Sequence, residues 1–90
     1  MLNDTLFVAA VLPPRASHPS GDELFRLGLG YSTGQSGAAI DVVAAQVLFN
    51  LAAAFGSLEA KVYRKELSAE MDPSDVAWAQ RAAREWLARD

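Results

Sequence analysis

From Leu24 onward the apolar residues recur every three or four positions, and strict alternation of apolar and polar residues persists nowhere, so the pattern predicts helices and no sheet. From about Ile40 to Phe55 the apolar positions run almost all the way round the helix. Only Gln46 and Asn50, one turn apart, mark a polar stripe. A helix of that kind is buried among other helices. Projected at about 100° per residue, the last helix gathers Val76, Ala79, Ala83, Trp86 and Leu87 into a core face. Trp78 falls nearly opposite, beside Arg81, Ala82 and Glu85. The earliest strong helix places Leu24, Leu27 and Tyr31 on one face and Phe25 and Leu29 on another.

Capping chemistry sets the boundaries. Ser20-Gly21-Asp22-Glu23 fits a capping box and opens a helix to about Thr33. Gly34-Gln35-Ser36-Gly37 reads as a loop. Gly56 stands where a left-handed cap ends the second helix, and Ser57 caps a third from Leu58 to Glu70. Asp72-Pro73 pairs a cap residue with a first-position proline and starts a fourth helix that ends near Ala88. Upstream, Asp4 caps a short fifth helix over Thr5 to Leu12, with a buried strand as the competing reading. Pro13-Pro14 ends that run, and Pro13 to Pro19 reads as a linker. The chain therefore divides into a segment over 1–19 and a helical domain over 20–90. Charges concentrate after Ser57, so the early helices are expected inside and the late ones partly exposed.

Composition narrows the function. Ninety residues make one domain with a thin core. The absence of cysteine removes disulfides, thiolate zinc sites and thiol catalysis. A formal charge of −3 argues against a nucleic-acid surface. The apolar run from Leu6 to Leu12 is too short to cross a bilayer and lacks a basic leader, and Val42 to Leu58 is interrupted by Gln46, Asn50 and Gly56. Neither a membrane span nor a secretory signal is expected, and the expected location is cytoplasmic.

Few residues suggest chemistry. His18 is the only histidine, which leaves a metal site without ligands. Ser17, His18 and Asp22 are neighbours along a loop, an arrangement that seldom produces triad geometry. Glu66 and Glu70 lie one turn apart, as expected of a solvated face. Gly28, Gly30 and Gly34 lack the spacing and preceding strand of a phosphate loop. No enzyme activity, metal or cofactor is expected. The candidate binding residues are Trp78 with Arg81, because an indole off the apolar stripe is either a partner anchor or covered within the chain, and Phe25 with Leu29, which line a groove or join the core.

The spaced positions Leu27, Gly28, Tyr31, Gly34, Asp41, Ala45, Phe49, Ala52, Ala53, Gly56 and Ala60 have a physical logic. Gly28 lets two helices approach closely, Asp41 sets a carboxylate at a helix start, and Ala45, Ala52, Ala53 and Ala60 keep crossing points thin. The pattern resembles the Sel-1-like repeat, a relative of the tetratricopeptide repeat. Ala44 and Leu51 stand where that family favours lysine, Leu48 where it favours tryptophan, and the loop before Asp41 is one residue longer. Glu70-Met71-Asp72-Pro73 and Gln80-Arg81-Ala82-Ala83-Arg84-Glu85-Trp86 resemble terminal segments of bacterial Sel-1-like proteins, so the likeness spans about residues 23–88.

The resemblance implies an α/α helix-turn-helix repeat, a short α-solenoid, acting as a scaffold or adaptor without shared catalytic residues. β-Lactam binding, linked to members with a disulfide in each repeat, does not transfer to a chain without cysteine. One repeat is fewer than the roughly three that solenoids need. An extra N-terminal helix, a homodimer formed through the apolar second helix or Trp78, or a separate repeat protein would supply the rest. The expected function is a protein–protein interaction module that self-associates. The alternative is a small ligand-binding domain or hydrolase using a groove beside Phe25 and Leu29.

Overall fold

A computed structural model describes residues 10–35, 37 and 39–89. The fold is all-α, with helices α1 (Gly21–Thr33), α2 (Val42–Ala54), α3 (Leu58–Glu70) and α4 (Pro73–Leu87), and no strand among the described residues. Each helix begins with a side-chain cap. Ser20 accepts from the Glu23 N–H while Glu23 accepts from the Ser20 N–H, completing the capping box. Asp41, Ser57 and Asp72 accept from the N–H groups of Ala44, Ala60 and Ser74. Gly34 ends α1 at φ 72°, and Gly56 turns the chain after α2 at φ 95°, a region L side chains rarely adopt.

The α2 helix is the centre of the molecule, and α1, α3 and α4 all pack against it. Ala44, Ala45, Val47, Leu48, Phe49, Leu51, Ala52 and Ala53 are buried, which accounts for the nearly continuous apolar surface in its sequence. Homodimerisation through this helix, one expectation from the sequence, is thereby corrected: its own chain already covers it. The polar stripe also points inward. Gln46 is 1% exposed, and its Nε2 donates to the Arg64 carbonyl at 3.2 Å, tying α2 to α3.

The α1–α2 crossing is built around Gly28. A Cβ there would lie 2.6 Å from Cε1 of Phe49, so the glycine is what permits the close approach. Ala60 closes the α3 crossing with no exposed surface. Two face assignments differ from the sequence reading. Leu27 does not share the inner face with Leu24 but stands 42% exposed, because the crossing is centred on Leu24 and Gly28. In α4, Ala82 is buried along with Ala79, Ala83 and Trp86, so the core face is broader than the projection indicates.

The expected helix over Thr5 to Leu12 falls largely outside the described residues. Ala10 and Val11 are helical, and Leu12 enters the core. The stretch Pro13 to Pro19 is no loose linker. It carries a 3-10 turn over Arg15–Ser17, ended by His18 in the left-handed region at φ 49°. Trp86 Nε1 donates to the Pro13 carbonyl at 2.9 Å, and the Arg15 guanidinium lies 4.7 Å from the centre of the Trp86 ring. These long-range contacts hold the segment against α4, where periodicity alone gives no sign of it.

Candidate functional site

The α3 helix has two apolar faces, one more than a peripheral helix needs. Its inner face seats Ala60 and Leu67 against the core. Taken at about 100° per residue, Leu58, Val62 and Ala69 gather on the opposite side. That side faces solvent: Leu58 is 70% exposed, Val62 is 54% exposed, and Ala69 is exposed with them. Charges border the stripe by sign, Lys61 on one flank and Glu59 and Glu66 on the other, and Lys65 stands within it. The stripe is therefore an amphipathic seam with a positive and a negative border. The sequence contained this signal, but the charges of α3 read as a solvated face and masked the leucine and valine among them.

The residues singled out from the sequence have different fates. Phe25 is 9% exposed and packs its ring against Phe49 and Tyr63, with centroids 5.8 and 5.1 Å away. Leu29 is half-buried against the same core. Of the two readings the sequence left open, a groove or the core, the Phe25 ring takes the core. Trp78 is half-buried and also packs against the core, while Arg81 beside it is exposed. Of the repeat positions, Gly28, Ala45, Phe49, Ala52, Ala53 and Ala60 are buried at helix crossings, Tyr31 is half-buried, and Asp41, Gly34 and Gly56 perform their capping and turning roles.

Ser17 and Asp22 each have a partner other than His18 among the described residues. The Ser17 hydroxyl donates to the Pro14 carbonyl within its own turn, and Asp22 pairs with Arg26 at 2.6 Å. His18 instead lines a cavity of about 380 Å³ with Arg15, Arg89, Phe55 and Trp86. Glu66 and Glu70 border a shallow groove of about 450 Å³ with Ser32, Phe49, Tyr63 and Leu67. Among the described residues no three metal-ligating side chains cluster, and no helix is long and apolar enough to cross a membrane.

Together these features define a small all-α domain whose most exposed large apolar side chain among the described residues, Leu58, lies on the outer face of α3. No family model, curated protein or solved structure matches the chain.

Proposed function

We propose that this chain is a non-catalytic protein–protein interaction module that pairs with a second copy of itself through the outer face of α3. The observation that carries the reading is the apolar stripe of Leu58, Val62 and Ala69, opposite the side of α3 that seats Ala60 and Leu67. The resemblance to Sel-1-like repeats supports the same class of role, because such helix pairs bury their faces by stacking.

Charge favours a second copy as the occupant. In a parallel pairing, opposite flanks of the two helices meet, and residues five apart face each other across the seam. Lys61 of one copy then meets Glu66 of the other, and the twofold axis repeats the pair. Lys65 in the seam lowers affinity and sets register, as a lysine within such a seam does. A contact of this length belongs to the smaller, transient class of interface, so pairing depends on concentration.

Light scattering across a concentration series tests the proposal. The wild type is expected to dimerise, and Val62→Glu to remain a folded monomer by circular dichroism. Lys61→Glu alone weakens pairing, and adding Glu66→Lys restores it. A monomeric wild type, or a double reversal without rescue, overturns the parallel self-pairing.

A further inference from the structure

We infer that the groove between α2, α3 and α4 binds a small organic carboxylate carrying a short apolar body. The groove holds about 440 Å³ and is lined by Asn50, Arg64, Gln80, Ala83, Arg84 and Leu87. Two arginines, an asparagine and a glutamine from three helices line one space, and no acidic residue does. In a chain of net charge −3 that is a pronounced local reversal of sign. Neither arginine has an ion-pair partner among the described residues; the ion pair seen there joins Arg26 to Asp22. Arg64 is half-buried on α3, and its backbone is held to α2 by the Gln46 amide.

Asn50 also lines the groove. Its Nδ2 is buried and has no hydrogen-bond partner. An unpaired buried donor is costly, but this atom is closed off from the groove that its residue lines. The Gln46 Oε1, unpaired one turn earlier, is an acceptor and does not belong to the lining. The donors the groove presents are those of Arg64 and Arg84, the complement of an oxyanion. A planar carboxylate matches the forked geometry of a guanidinium and accepts from an amide with its remaining lone pairs. Ala83 and Leu87 make the rest of the wall apolar, which suits an aliphatic body behind the charged head. This site is separate from the Leu58–Val62 stripe and does not require that the chain pair with itself.

The test is a titration of the full chain with hexanoate, followed by NMR at the Asn50 side-chain amide and the arginine Nε–H groups. Hexanamide, inorganic phosphate and the Val62→Glu background serve as separate arms. Hexanoate is expected to shift the Asn50, Arg64 and Arg84 signals saturably in both backgrounds. Arg64→Gln and Arg84→Gln are each expected to weaken binding about tenfold, the scale of a lost hydrogen bond to a charged group, and Arg26→Gln to leave it unchanged. Equal binding of hexanamide would make the groove an apolar slot and overturn the proposal. Phosphate binding as tight as hexanoate would remove any role for the apolar body, and absence of saturable shifts, or indifference to both arginine substitutions, would also sink it.

Discussion

Gly28 and Phe49 share a space that only one of them fills: a Cβ on residue 28 would sit 2.6 Å from Cε1 and 2.7 Å from Cδ1 of the ring. Phe25 and Tyr63 stand against the ring with centroids 5.8 and 5.6 Å away and limit its retreat. Gly28→Ala therefore sets two effects against each other. Helix propensity gains about 1 kcal/mol, while overpacking a tight core costs about 1–3 kcal/mol. Overpacking is expected to win, with a net loss of up to about 2 kcal/mol in urea denaturation. Adding Phe49→Leu should return part of the loss, because it removes the clashing atoms. A Gly28→Ala variant as stable as wild type would mean the α1–α2 crossing is looser than this geometry.

Trp86 connects the two ends of the described chain. Its indole donates to the Pro13 carbonyl, supports the Arg15 guanidinium and meets the Phe55 ring edge-on at 6.1 Å. Trp86→Phe keeps most of the apolar volume and removes the N–H. The lost bond and weakened cation–π contact together are worth about 1–2 kcal/mol. The loss should be local. Hydrogen exchange and protease cleavage over residues 10–19 are expected to accelerate, while the α2 amides stay protected. Uniform loss of protection would show that the segment and the helices unfold as one unit.

How much of this was legible beforehand follows the range of the interaction. Ser20 with Glu23, Asp41, Ser57 and Asp72 with Pro73 act within a few residues, so the helix boundaries could be read directly. Gly28 was legible because its spacing before Tyr31 marks a crossing. Arg15 stacking on Trp86 joins positions far apart in the chain, and no local pattern encodes it. Phe25 stayed open between groove and core because helical projection separates faces but cannot say how many neighbours a helix has. The same blindness hid the outer stripe of α3 and the groove formed by Asn50, Arg64 and Arg84 from three helices.

Asp72 gives the fold an acid-sensitive start to α4. The backbone N–H of Ser74, and then its hydroxyl, donate to the carboxylate and hold its pKa below the ordinary value of 3.8. A lowered folded-state pKa means this contribution is fully present above 3.8 and is lost as pH falls through the lower, folded-state value. The NMR titration midpoint of the Asp72 carboxyl carbon is expected below 3.8. Asp72→Asn should make the acid limb of the stability profile shallower. A midpoint at or above the ordinary value would remove the cap from the explanation of acid sensitivity.

Gln46 tests whether the polar stripe of α2 stabilises the core or only adapts to it. Its Nε2 makes one bond, to the Arg64 carbonyl, while its Oε1 is buried without a partner. The bond contributes about 1 kcal/mol, and the unpaired acceptor costs about 1–3 kcal/mol. The Arg64 carbonyl keeps the helical N–H four residues on, so losing the Gln46 amide does not orphan it. Gln46→Met fills nearly the same volume and removes both polar atoms. It is expected to be neutral or stabilising by up to about 1 kcal/mol in thermal or urea denaturation. Gln46→Ala instead leaves a void and should lose about 1–2 kcal/mol. If the methionine variant is the less stable one by more than about 1 kcal/mol, the acceptor must have a partner in solution, such as a buried water bridging it to Asn50 Nδ2.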